Sequence, residues 1–138
     1  MDQHTLVKEL NEDLGTEHQS LVQYIQHIAT ISGAEYMSVV DELRRHLAQE
    51  LEHALILAEQ VTFLGGIPET AVPTVPPTNS PRESLEADLA LESNQLDRYR
   101  ERIIQASELG LVDVAEALRP LLEQTQEHVR DLRTALGR

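Results

Sequence analysis

The chain has 138 residues, about the size of one domain, and is 41% apolar but only 3% aromatic, so its core is aliphatic. It contains no cysteine, which excludes a disulfide framework, a zinc–thiolate site and a redox thiol. The net charge is −13, from 24 acidic against 11 basic side chains; such a surface repels phosphate backbones, gathers cations, and makes nucleic acid an unexpected partner.

The N-terminus, MDQHTLVKEL, has neither the basic start nor the apolar run of a signal peptide. No segment approaches the roughly 18 apolar residues of a membrane span. A cytoplasmic protein is the expectation. The first helix is predicted over 3–32 and ends at Gly33. The second runs over 36–64 and is closed by Gly65, Gly66 and Pro68. The stretch from Pro68 to Pro81, both included, holds five of the six prolines, so it is neither helix nor central strand. It ends in Ser80-Pro81-Arg82-Glu83, a capping box with proline at the first helical position, which starts a third helix over 81–109. Gly110 ends that helix, and Asp113 with Glu116 opens a fourth over 113–136 in the same style. Pro120 is expected to kink the fourth helix or to mark its true start.

The short breaks at 33–35 and 110–112 make antiparallel hairpins. The connection 65–80 extends by about 3.3 Å per residue. It can therefore cross the length of helices that are about 40 Å long. The expected fold is all-α: a single antiparallel four-helix bundle over 1–138, two hairpins joined by one long crossover.

Each helix carries a stripe at 3-4 spacing, the period of a bundle interior. The first runs Leu10, Leu14, Glu17, Leu21, Tyr24, Ile28, Ile31; the third runs Leu85, Leu89, Glu92, Leu96, Tyr99, Ile103, Ala106. In the second, Glu50 interrupts Leu43, Leu47, Ala54 and Leu57, with His53 beside it. In the fourth, Thr125 and His128 stand between Leu121 and Leu132. Glu17 to Glu50 and Glu92 to Thr125 both span 33 residues, and Glu17 to His53 and Glu92 to His128 both span 36, so the second hairpin repeats the first at an offset of 75. A pseudo-twofold axis would bring these side chains to one level.

Burying three carboxylates is costly unless a positive charge compensates them. The stripes hold no lysine or arginine. Metal ions would serve, and carboxylates with neutral imidazoles suit iron, manganese or zinc. Two histidines among several carboxylates suggest two ions, with Glu17, Glu50, His53, Glu92 and His128 as ligands. His46, one turn before Glu50, is a further candidate at the margin of the site; His4, His18 and His27 lie off the stripes and are expected at the surface, and Tyr99 in the core.

These residues resemble the ferritin-like superfamily, and bacterioferritin most of all. GTEHQSLVQYIQH (15–27) is similar to its first-helix motif, Glu50 and His53 to its Glu-x-x-His, DLALE (88–92) to its third-helix motif and QEHVRDL (126–132) to its fourth. The resemblance implies Glu17 and Glu92 as terminal carboxylates, Glu50 as a bridge between two irons, and ferrous oxidation by oxygen or peroxide. It implies a role for Tyr24 beside the metals, as outer hydrogen-bond partner or electron donor. The family's second bridging glutamate falls at Thr125, which leaves five expected ligands instead of six. Gln124, Gln126 and Glu127 are poor substitutes there, because each residue turns the helix by about 100°. Leu51 stands where the family's haem methionine falls, so no haem is expected. The chain stops just past the fourth helix, where the family has a fifth, so a homodimer is expected over a closed cage. Two alternatives remain: a non-catalytic protein holding one ion, zinc or manganese, and a metal-free helical interaction module.

Overall fold

The computed structural model describes residues 1–138. Four helices make up the chain: α1 (Gln3–Thr30), α2 (Met37–Phe63), α3 (Pro81–Glu108) and α4 (Val112–Ala135). A 3-10 turn at Ala34–Tyr36 leads into α2. No helix is long and apolar enough to cross a membrane.

The ends follow local chemistry. Asp2 caps α1 by accepting the Thr5 amide at 2.8 Å. Ser80 caps α3 by accepting the Glu83 amide at 3.1 Å, and Glu83 reaches back to the Asn79 amide at 2.8 Å, one residue earlier than the reciprocal arm of a capping box. At the end of α2, Gly65 takes φ +87°, and the Gly66 amide donates to the Val61 carbonyl at 2.9 Å. This turn satisfies the last carbonyls and needs a residue free to adopt a left-handed backbone. A Cβ on Gly66 would meet Val7 at 2.6 Å, so the second glycine is fixed by packing instead.

The start of α4 corrects the sequence reading. Its cap is Leu111, with no side-chain hydrogen bond, and Asp113 lies inside the first turn. Nor does α4 begin at Pro120. The helix runs through that proline, which is exposed and forgoes only the one backbone bond its nitrogen would have made.

Side-chain pairs give the directions. Asp13 meets Arg102 and His27 meets Asp88, so α1 and α3 are antiparallel; Gln49 meets His128 and His53 meets Gln124, so α2 and α4 are antiparallel. With both hairpins antiparallel, α2 and α3 run the same way, and the chain between them must return along the whole bundle. It is fastened to α1 on the way: Asn11 donates to the Ile67 carbonyl at 3.0 Å and accepts the Glu69 amide at 2.9 Å.

The core is two apolar blocks. Leu6, Leu10, Leu14, Leu57, Val61, Val114 and Leu118 form one, and Tyr24, Ile31, Leu43, Leu85, Leu132 and Leu136 belong to the other. Each such leucine contributes about 1.5–3 kcal/mol by leaving water. On α1, α2 and α4 a buried polar group separates the blocks, at Glu17, Glu50 and Thr125.

Candidate metal centre

The polar layer gathers the residues that the stripes single out. Glu17, Glu50, His53, Glu92, Thr125 and His128 are all fully buried, and so is His46. They form two groups. Ligand atoms of Glu17, Glu50 and His53 lie within 4.8 Å of one another, and so do those of His46, Glu92 and His128. Glu50 reaches both: its Oε2 is 3.4 Å from His53 Nδ1 and its Oε1 is 2.9 Å from His128 Nδ1. One carboxylate thus touches both groups.

Two glutamines that the sequence did not single out set the histidines. Gln124 Oε1 lies 2.8 Å from His53 Nε2, and Gln49 Oε1 lies 2.5 Å from His128 Nε2. An amide oxygen can only accept, so each Nε2 carries a hydrogen, and in the neutral ring Nδ1 is then the atom left to face a cation. The signal was present in the sequence, since Gln49 and Gln124 obey the same offset of 75. Gln124 is no substitute for a bridging carboxylate; it acts from behind the opposite histidine. Replacing Gln124 by leucine is expected to weaken cation binding about 10–100-fold with little change in fold, measured by competition with a chromophoric chelator.

The tyrosines repeat the pattern across α1 and α3. Tyr24 donates to Glu92 Oε1 at 2.8 Å, and Tyr99 donates to Glu17 Oε1. Tyr99 is therefore buried as expected, but its hydroxyl belongs to the centre. Around them runs a polar ladder outside the stripes. Gln95 donates to Ser20 at 3.1 Å, Arg102 Nε donates to Asp13 at 2.6 Å, and Asp88 takes His27 at 2.8 Å and Gln23 at 2.9 Å. His27 is thus buried against Asp88, not on the surface. His4 is exposed, and His18 is half-buried with its Nδ1 2.9 Å from the Ala71 carbonyl.

His46 lies against the second group. Its ring stacks on His128, with centroids 4.0 Å apart and 24° between the planes. Its Nδ1 is 3.2 Å from the Tyr24 hydroxyl and its Nε2 3.0 Å from Asp131. A surface cavity of about 380 Å³, lined by Glu42, Leu43, His46 and Asp131, reaches it from outside.

The electrostatics are those of crowded anions. Burial and the charges of Glu17 and Glu92 push the Glu50 carboxyl well up. Burial acts the same way on Glu92, but hydrogen bonds from His128, Glu50 and Tyr24 outweigh it and bring that carboxyl down to about 2. Burial lowers His53, yet its contacts with Glu17 and Gln124 raise it overall. His46 is lowered, by burial first and then by His128.

Do these side chains fit a metal? Glu17 Oε2, Glu50 Oε2, Glu92 Oε2, His53 Nδ1 and Thr125 Oγ1 are buried without a hydrogen-bond partner. Native interiors leave few such atoms, and here five share one layer. No lysine or arginine pairs with the three glutamates; the basic side chains within ion-pair distance of them are the imidazoles of His53 and His128. A hard, oxygen-rich donor set with imidazoles and no sulfur fits iron, manganese or zinc.

Known proteins resemble this chain in sequence and fold. The sequence profile of the ferritin-like domain matches residues 7–138. Bacterioferritin BfrA of Mycobacterium tuberculosis (strain ATCC 25618 / H37Rv) is 27% identical over 128 residues, covering 92% of this chain and 80% of that protein. The crystal structure of ferritin-like, diiron-carboxylate proteins from Bacillus anthracis strain Ames superposes with TM-score 0.93 at 30% identity, covering 99% of each chain. Mycobacterium tuberculosis bacterioferritin, BfrA, superposes with TM-score 0.87 at 25% identity over 96% of this chain and 84% of its own. Its sequence profile, its four-helix crossover bundle and its buried carboxylate–histidine layer make this chain a member of the ferritin-like domain family.

Proposed function

We propose that this chain is a dimetal-carboxylate protein that binds iron and oxidises the ferrous ion. One observation carries the reading: three buried carboxylates and two imidazoles converge at one level with unpartnered atoms and no basic side chain among them. Glu50 would be shared between the two positions, Glu17 and His53 would hold one ion, and Glu92 and His128 would hold the other. Iron held there supplies the electrons that reduce dioxygen or peroxide. Glu50 gives up its proton when cations arrive, because a carboxyl raised by burial and like charge ionises once that charge is balanced. Tyr24 and Tyr99 orient the terminal carboxylates and are the oxidisable side chains beside the centre.

Adding ferrous iron to the metal-free protein in air-saturated buffer is expected to consume oxygen. The Glu50→Ala variant should consume it at the background rate; full activity in that variant would sink the assignment.

A second reading rests on Thr125. Its hydroxyl is buried without a partner where the family's second bridging glutamate falls, so the centre has one negative charge fewer with which to hold a reactive pair. A protein holding zinc, manganese or a single iron would then show metal-dependent stability and flat oxygen traces. A melting temperature indifferent to chelator would instead favour the metal-free interaction module.

The homodimer reading is supported by exposed apolar side chains on the first hairpin: Val22 and Ile25 on α1, Leu51 and Leu55 on α2. Leu51 offers no thioether to haem iron, so no haem is assigned to that position.

A further inference from the structure

The offset of 75 relates almost every polar residue of the centre: Glu17 to Glu92, Tyr24 to Tyr99, Gln49 to Gln124, His53 to His128. It fails at two positions. Thr125 answers Glu50, and Leu121 answers His46. These two positions are one helical turn apart. The half of the bundle that keeps its bridging glutamate thus also has a buried histidine where the other half has a leucine.

We infer that His46 is the sixth protein ligand, replacing the donor lost at Thr125, and that it makes the second cation position, His46–Glu92–His128, nitrogen-rich and unlike the first, Glu17–Glu50–His53. This rests on the dimetal reading above and assigns the donors within it.

The three histidines are built alike. In each, Nε2 meets an oxygen on a neighbouring helix: Gln124 for His53, Gln49 for His128, and Asp131 for His46. Asp131 is itself held by Arg45 at 2.7 Å. An Nε2–H spent on an outer oxygen leaves Nδ1 as the free donor, the arrangement that fixes metal-binding imidazoles in general. The Nδ1 of His46 faces the Tyr24 hydroxyl, whose hydrogen is already given to Glu92, so a neutral His46 has a lone pair there and no proton to meet it. A ring placed for packing alone would need neither the carboxylate behind it nor a donor atom within 4.8 Å of those of Glu92 and His128.

The consequence is selectivity. Two imidazoles and one carboxylate favour cobalt and zinc more than two carboxylates and one imidazole do, and the latter set is the better one for manganese. The two positions are expected to fill in sequence, the histidine-rich one first for cobalt.

The test is titration of the metal-free protein with cobalt(II), reading ions per chain by equilibrium dialysis and the visible ligand-field bands. Wild type should take two ions with separate affinities and separate bands. His46→Leu, which installs the side chain found at the matching position of the other half, should lose the tighter ion and its bands and keep the other. His46→Gln should do the same, and circular dichroism shows whether each variant folds. In Glu17→Gln the opposite ion should be lost. Adding Thr125→Glu to His46→Leu should restore the second ion. If wild type binds two ions and both His46 variants bind two with unchanged bands, the role of His46 is overturned while the dimetal reading stands. If wild type binds none, both fall.

Discussion

Glu50→Gln is expected to raise the melting temperature of the metal-free protein and to weaken its response to metal. The two effects have one cause. Glu50 lies between Glu17 and Glu92, fully buried, with one oxygen unpartnered. Relieving an unsatisfied buried group is worth about 1–3 kcal/mol. Glutamine keeps the shape, loses the charge and gains an amide that can donate to the neighbouring carboxylates. The pH dependence identifies the group. Because folding raises the Glu50 carboxyl above its ordinary 4.5, the stability it contributes is complete below that value and is lost as pH climbs through the raised one. The gap between variant and wild type should therefore close in acid and widen toward neutrality. With metal the order reverses: a cation at about 1,000 times its dissociation constant adds about 4 kcal/mol to wild type, and the variant, without the carboxylate shared by the two groups, gains less. Thermal melts with and without chelator, over a pH series, show all of this. A variant that melts below metal-free wild type at every pH contradicts the account of a centre strained by its own charge.

Asp13→Ala should be among the most destabilising changes away from the centre. Asp13 is buried and accepts Arg102 at 2.6 Å and Arg98 at 2.5 Å. Burial lifts its carboxyl, against the pull of both guanidinium groups. Removing it leaves the guanidinium of Arg102, only 1% exposed, without its principal partner. Breaking a buried pair from one side costs about 3–5 kcal/mol, whereas replacing both members by apolar side chains is often neutral. Asp13→Leu with Arg102→Met should therefore recover most of the loss in a urea titration. A single variant as stable as wild type would show that water reaches Arg102 in solution.

This pair shows where the sequence was hard to read. The 3-4 stripe found Glu17, Glu50, Glu92 and His128 because a charged residue inside an apolar stripe is conspicuous. Asp13, Gln23, Asp88, Gln95 and Arg102 sit beside the stripes of α1 and α3, at positions that face water in an isolated amphipathic helix. They are buried because α1 and α3 face each other with small and polar side chains at the seam, and their partners lie 65 to 89 residues away. Helix periodicity carries no trace of such long-range pairing. His27 was misplaced for the same reason, although it stands 75 residues before Arg102 as Asp13 stands 75 before Asp88. Helix ends, by contrast, were readable to within about two residues wherever Gly65, Gly110 or Ser80-Pro81 marked them. The start of α4, capped by Leu111, carried no such mark.

The measurement that bears most directly on the central claim is metal content per chain, by elemental analysis, before and after loading with ferrous iron and exhaustive dialysis. The account predicts two irons per chain in wild type and the loss of at least one of them in Glu50→Ala. No retained metal in wild type, with a melting temperature that ignores chelator, would contradict it and leave the buried carboxylates without a partner.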